Sequence, residues 1–347
     1  MASPALGHRI KERNYTWSLE LYVLNEGVCF LERANHSICS YVFPIKVFDF
    51  LMEKCSNQEN IFGEDDLHYE TEGVTLIICD LIASKDNALR MRLGAERMCM
   101  PSPSVEQFVE AVKLTVLKNQ RWVPPAGKGA LYIRPLLMGS GAVLGLAPAP
   151  EYTFLIFVSP VGNYFKEGLA PINLVVENEY HRATLGGTGG VKTIGNYASV
   201  LKAQAAAMAK GYTDVLYLDS AHKRYLEEVS SCNVFVVKDK KISTPELKGT
   251  ILPGITRKSI MAVARKEGYE VEERPIPVEE LLDADEVFCT GTAVVVSPVG
   301  SITYLDKRSL FCLEEKHQIL LFPKPWMSSS LRRLQFINKE DGLRDYN

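Results

Sequence analysis

Residues 186–197 read Gly-Gly-Thr-Gly-Gly-Val-Lys-Thr-Ile-Gly-Asn-Tyr, so four glycines lead into a single lysine, Lys192. Glycine lets the backbone pass close to another group and adopt conformations that other residues resist. A lysine crowded in this way is expected to be poorly solvated, which frees its amine as a nucleophile. Residues 198–210 are rich in Ala, Lys, Leu, Gln and Met, all good helix formers, and Gly211 is a natural stop. Asn196 has the chemistry of an N-cap. The expectation is a loop lysine just before a helix that Tyr197 opens.

From these residues alone three readings stay open. A phosphate-binding loop needs Gly-x-x-x-x-Gly-Lys-Ser/Thr, but Val191 holds the place of the last glycine. No strongly apolar strand runs directly into the glycines either. The second reading is a lysine that forms a Schiff base with pyridoxal phosphate. The third is a solvated loop lysine, the commonest fate of the residue.

A chain of 347 residues can bury a substantial core and suggests two domains. Its net charge of −3, without a basic stripe, gives no electrostatic case for nucleic acid. No apolar run approaches the roughly 20 residues a membrane helix needs. Eight scattered cysteines without a Cys-x-x-Cys pair support neither a disulfide framework nor a zinc site, and no metal is expected. Residues 1–15 lack the apolar core of a signal peptide, and no targeting segment stands out.

Along the chain, residues 19–31 show no clean period, and 42–54 pattern as an amphipathic helix. A buried strand is expected over 74–79 and a helix over 87–100 that carries Arg90, Arg92 and Arg97. Ser104 with Gln107 makes a capping box opening a helix to about Lys118. Residues 131–135 read as a strand that Pro135 confines to an edge or end, with Tyr132 and Arg134 on one face. Such a pair could grip a carboxylate or simply be an exposed edge. Strands follow at 153–159 and 172–177, with 159–168 as an interdomain linker. Further strands are expected over 214–219, 222–228, 233–237, 241–243, 269–273, 286–290 and 292–296. A turn at 252–257 leads into a helix that ends near Gly268 and offers the N–H groups of Ile255 and Thr256 to an anion. Residues 278–282 form a short helix. Strands and helices alternate without a Gly-x-Gly-x-x-Gly fingerprint, which points to α+β rather than a dinucleotide-binding fold.

From about Asn87 to Tyr304 the chain resembles plant-type branched-chain amino acid aminotransferases, which are fold-type IV pyridoxal phosphate enzymes of two α+β domains. The resemblance implies a small N-terminal domain over 1–158, the linker at 159–168 and a large cofactor-binding domain over 169–347. It implies that Lys192 is the Schiff-base lysine and proton shuttle, and that Tyr197 bonds the cofactor's phenolic oxygen. Glu228, within Tyr225-Leu226-Glu227-Glu228-Val229-Ser230-Ser231-Cys232-Asn233, would face the pyridine nitrogen. Its neighbour Glu227 should turn to the opposite face of the strand. Arg90, Ile255, Thr256 and Thr292 would hold the phosphate. Tyr132, Arg134, Ser231 and Ala293 would handle the substrate carboxyl groups.

The implied activity moves an amino group between Leu, Ile or Val and 2-oxoglutarate. The implied partners are small amino and 2-oxo acids and a second copy of the chain, in cytoplasm or plastid. Where some relatives carry Cys-x-x-Cys, Val294 and Ser297 stand here, so a thiol switch is not expected. Residues 1–73 and 308–347 depart from the family, apart from a faint likeness at 330–341. A Phe-Glu-Gly segment that walls the substrate pocket in relatives is missing. That departure motivates one alternative, a catalytically impaired or inactive paralogue; a second, a fold-type IV aminotransferase or lyase of other specificity, has the Leu131-to-Pro135 segment against it.

Overall fold

The computed structural model describes residues 84–125, 129–162, 171–305 and 307–311, together with the backbone of three strands between 9 and 35. The helix expected over 42–54, the strand over 74–79 and the segment 330–341 lie outside the described residues. The chain divides into two compact units, Met1–Asn163 and Tyr164–Asn347.

In the first unit, β1 (Arg9–Glu12), β2 (Tyr15–Leu24), β3 (Gly27–Asn35), β4 (Gly129–Ser140) and β5 (Glu151–Gly162) form an antiparallel sheet. The order is β1-β2-β3-β5-β4. Residues 19–31 lack a period yet pair in continuous register, from Thr16↔Asn35 to Leu24↔Gly27. Neighbouring strands, rather than local pattern, decide their state. β4 is an edge strand, which suits Pro135, a residue with no amide to give to a second neighbour.

Helix α1 (Ser84–Arg97) starts slightly before, and stops short of, the expected span. Helix α2 (Val105–Lys118) opens on the expected capping box. The Gln107 amide donates to Ser104 Oγ at 3.2 Å, and the Ser104 amide donates to Gln107 Oε1 at 2.7 Å. Phe108, Ala111 and Val112 of α2 pack with Ala88 of α1 on Phe154 and Ile156 of β5. Ile133 and Leu137 of β4 join this cluster. Tyr132 and Arg134 alternate with them and so lie on the face away from the helices.

The second unit holds β6 (Ile172–Glu177), β7 (Asp214–Leu218), β8 (Leu226–Val229), β9 (Asn233–Lys238) and β10 (Lys241–Thr244). It also holds β11 (Glu270–Glu273), β12 (Glu286–Gly291), β13 (Val295–Tyr304) and β14 (Lys307–Leu310). β8 pairs with both β7 and β9, so β9-β12-β13-β6-β7-β8 closes into a ring, and β10 and β11 extend from β9. One core cluster takes a side chain from each ring strand: Leu174, Leu216, Leu226, Val234, Val287 and Val299. Residues of opposite parity, among them Phe235 and Phe288, stack at 4.9 Å and pack under helix α5 (Ile255–Lys266). The fold is α+β, with parallel pairs β13–β6, β6–β7 and β10–β11 among antiparallel ones.

Four sequence expectations are corrected. The single helix over 198–210 is two, α3 (Ile194–Ala198) and α4 (Leu201–Ala209), so Tyr197 lies inside the first rather than at the start of the second. Asn196 is not an N-cap, because Thr193 holds that position and its side chain caps nothing. The strand expected over 222–228 is a turn up to Arg224, followed by β8. The Asp219 carboxylate takes the amides of His222, Arg224 and Tyr225 at 2.7, 3.0 and 2.8 Å, and so replaces ladder bonds with a turn. The strand expected from 292 begins at Val295, after a turn over 292–294.

Candidate active site

Gly189 and Gly190 serve close approach of two backbone segments, while Gly186 takes a positive φ of 77°. A Cβ on Gly189 would overlap the Thr250 carbonyl, and one on Gly190 would sit 2.9 Å from the Gly249 carbonyl. The Gly190 amide donates to that Gly249 oxygen at 2.8 Å. The buried Asn196 side chain then locks the loop. Its Nδ2 donates to the carbonyls of Thr188 and Val191, both at 2.8 Å, and its Oδ1 accepts from Thr188 Oγ1 at 2.9 Å. A loop poor in side chains leaves carbonyls to satisfy, and an asparagine one turn on does so.

This arrangement sets Lys192 Nζ against the Tyr197 hydroxyl at 2.6 Å. Lys192 is exposed, not poorly solvated as glycine crowding suggested, because glycines leave space around the amine instead of covering it.

Glu228 is 2% exposed and meets only donors. Arg182 Nη1 lies 2.7 Å from Oε2, the Leu252 amide donates to Oε2 at 3.0 Å, and Asn233 Nδ2 donates to Oε1 at 2.7 Å. Burial pushes its pKa up to about 7, while the Arg182 guanidinium and the Leu252 amide pull the other way. Glu227 does not turn to solvent, since all four residues of β8 are buried.

Asn233 also donates to the Leu252 carbonyl at 3.0 Å and leaves no room for a side chain at Gly254. A Cβ there would overlap Asn233 Oδ1. Gly254 is therefore the N-cap of α5, and no side chain caps the first turn that carries Ile255 and Thr256. The turn with Thr292 and Ala293 follows Gly291, which faces Cys232 Sγ and the Ser231 carbonyl. The Gly189–Gly190 stretch that leads into Lys192 lies against Gly249 and Thr250, and the Thr250 carbonyl accepts from the Arg182 that holds Glu228, so the loop of the amine and the carboxylate flank one region.

The remaining site candidates belong to the first unit. Arg90 Nη2 donates to Asn87 Oδ1 at 2.7 Å along α1. Arg134 Nη2 donates to the Tyr132 hydroxyl at 3.3 Å, and its guanidinium lies 4.9 Å from the Tyr132 ring centre. These residues are the parts of the expected constellation that the second unit does not itself supply.

The profile of the amino-transferase class IV family matches residues 72–302. The chain belongs to that family. As a class IV amino-transferase it is 79% identical over 228 residues to branched-chain-amino-acid aminotransferase 5, chloroplastic, of Arabidopsis thaliana. That match takes in 66% of this chain and 55% of the relative, so the chain spans about half the length of the curated protein it matches. Among solved structures, a branched-chain aminotransferase from Thermoproteus uzoniensis with norvaline matches with a TM-score of 0.62 and 25% identity. The match covers 75% of this chain and 81% of that one. A branched-chain amino acid aminotransferase of T.th. with pyridoxamine 5'-phosphate matches with a TM-score of 0.58 and 28% identity, covering 75% of this chain and 78% of that one.

This class IV amino-transferase has site residues that sequence reasoning missed. Arg182, Asn233, Asn196 and Thr250 are all buried and all hold expected site residues in place. Asn196 did attract notice, for the wrong job. Arg182 carried no signal, because a lone arginine in a polar loop reads as solvated. Among the described residues no cluster of His, Cys, Asp and Glu could hold a metal, and no helix is long and apolar enough to cross a membrane.

Proposed function

We propose that this class IV amino-transferase is a pyridoxal phosphate-dependent transaminase. It would move the amino group between leucine, isoleucine or valine and 2-oxoglutarate in a ping-pong cycle. The observation that carries the proposal is Glu228, a carboxylate buried among donors and held in the same region as the loop of the Lys192–Tyr197 pair. The name of the 79% identical relative supports the substrate class, and its chloroplastic designation favours a plastid over the cytoplasm. The pyridoxamine 5'-phosphate of the T.th. enzyme supports the cofactor.

The residues fit that cofactor. Glu228 offers a negative partner to a ring nitrogen, and the uncapped start of α5 offers N–H groups to a phosphate. Gly254 and Gly189 keep the backbone there free of side chains that their neighbours could not accommodate. When bound, pyridoxal phosphate supplies the electron sink and the carbonyl that accepts the amino group.

The chain's own residues do the rest. Lys192 would hold the cofactor through its amine and, as the base beside the substrate, would move the proton at the α-carbon. Tyr197, already bonded to that amine, orients it. Glu228 holds a proton on the ring nitrogen and Arg182 fixes its carboxylate. Ile255, Thr256, Thr292 and Arg90 bind the phosphate. Tyr132, Arg134, Ser231 and Ala293 bind substrate carboxyl groups. A homodimer is the proposed assembly, of a small domain and a cofactor-binding domain; β5 carries the small domain to Gly162, past the boundary expected at 158, so residues 159–162 are strand and not linker.

The test is reconstitution of the full chain with pyridoxal phosphate, followed by leucine. A visible absorption band that leucine bleaches, and that Lys192→Ala never develops, is the expected result; no band in the wild-type chain would overturn the reading. The rival reading is a catalytically inactive paralogue. A band that leucine leaves untouched would establish that rival.

A further inference from the structure

Asp214, at the start of β7, has no part in the proposed chemistry, yet three donors from different stretches of the second unit meet on its Oδ1. The Val215 amide, next in sequence, donates at 2.8 Å. Gln204 Nε2 of α4 donates at 3.1 Å and Ser230 Oγ at 2.6 Å, from 10 and 16 residues away. A hydroxyl bond as short as the last is typical of a charged carboxylate acceptor. The Val215 contact alone would be a local backbone bond, whereas the other two join separate elements.

Those elements carry parts of the expected site. Ser230, 2% exposed, and the exposed Ser231 form the tip between β8 and β9. The Glu228–Asn233 pair and the Val229 amide, which donates to the Cys232 carbonyl at 3.0 Å, close the hairpin. The ladder between β8 and β7 ends at the Leu216–Val229 pair, and beyond it the side chains of Ser230 and Asp214 carry the connection on. The tip lies over Gly291, where a Cβ would stand 3.2 Å from Cys232 Sγ and 3.9 Å from the Ser231 carbonyl. Thr292 and Ala293 follow at once, so the set of the tip decides how Ser231 stands to Ala293. On the other side, α4 packs on Val215 and Tyr217 through Val200, Ala203 and Ala207. It follows directly on α3, which carries Tyr197, the partner of Lys192.

We propose that Asp214 is a positioning residue for the substrate carboxyl group: it holds Ser230, and so sets the β8–β9 tip with Ser231 beside the turn of Ala293. A tip serine that must first be ordered by its ligand costs affinity, and one already fixed does not. The inference rests on the proposed reading of Ser231 and Ala293 as groups that bind an amino or 2-oxo acid carboxylate.

The test loads the full chain with pyridoxal phosphate and titrates it with leucine, reading the half-saturating concentration and the limiting rate of bleaching separately. Ser230→Ala deletes one hydroxyl, Asp214→Ala deletes the carboxylate, and Asp214→Asn keeps an acceptor oxygen for the same donors. The half-saturating concentration is expected to rise about tenfold in both alanine variants and to return to within about twofold of wild type in Asp214→Asn. The limiting rate and the cofactor affinity are expected to stay within about twofold throughout. A merely structural role would weaken cofactor and leucine binding alike. An unmoved half-saturating concentration in Ser230→Ala, or an equal loss of cofactor affinity, would overturn the proposal. Amide hydrogen exchange across 229–233 gives an independent reading. Faster exchange in Ser230→Ala, with the wild-type rate kept in Asp214→Asn, supports the tie, and identical exchange in all the chains overturns it. If leucine left the wild-type band untouched, the transaminase reading would fail by itself, and the exchange comparison would still decide whether Asp214 holds the tip.

Discussion

Lys192 owes its position to Asn196, a residue whose value lies in three hydrogen bonds rather than in reactivity. Asn196→Ala would strand the carbonyls of Thr188 and Val191 and remove the Thr188 contact. A cost of about 1–3 kcal/mol is expected, read by urea denaturation, together with weaker cofactor binding. The close backbone approach before Lys192 was legible in the glycines, whereas the roles of Lys192 and Tyr197 came from family resemblance, since the glycines alone left three readings open. Asn196 was legible as a capping residue only, since the chemistry that caps a helix also ties a loop. Arg182 was not legible: its role exists only once 182, 228 and 250 meet across separate stretches of chain. Glu228 was found through family resemblance, and the burial of Glu227 was not legible, because a strand within a closed ring can be covered on both faces.

At the scale of elements, the capping box of α2 and the boundaries of most strands of the second unit could be read directly. Alternating apolar positions and glycine or proline punctuation sit at the ends of those strands. The break between α3 and α4 could not, because Ala-rich composition favours helix throughout and offers no reason to stop. Ser104→Ala should lower the stability of the first unit by about 1 kcal/mol, checked by denaturation of the full chain. Gly254→Ala should do more harm. Its Cβ overlaps Asn233 Oδ1, and moving Asn233 releases both Glu228 and the Leu252 carbonyl. The expected outcome is loss of pyridoxal phosphate binding at ordinary concentrations, with the secondary-structure content unchanged by circular dichroism.

For the whole molecule, two groups oppose each other across the pH scale. Burial lifts Glu228 from 4.5 to about 7, so its contribution to stability is complete below about 4.5 and lost as pH rises through about 7. Asp219 behaves in the reverse sense. Burial would raise it, but the amides of Tyr225, Arg224 and His222 hold it at about 2 against 3.8. Its contribution is present above 3.8 and lost as pH falls through about 2. The apoprotein Tm should therefore peak in mildly acidic solution, and added pyridoxal phosphate should raise Tm most near pH 8, where Glu228 is charged and can pair with the ring nitrogen. Differential scanning calorimetry with and without cofactor checks both.

The ring of the second unit carries one more consequence. Its seam joins Ser301 to Asn173, partners 128 residues apart. On a ribosome, β6 emerges long before β13 can reach it, and the half-built ring waits with open edges until its last ring strand leaves the exit tunnel. Ribosome-bound chains arrested short of residue 295 should remain protease-sensitive, and chains released past 304 should acquire resistance in a single step.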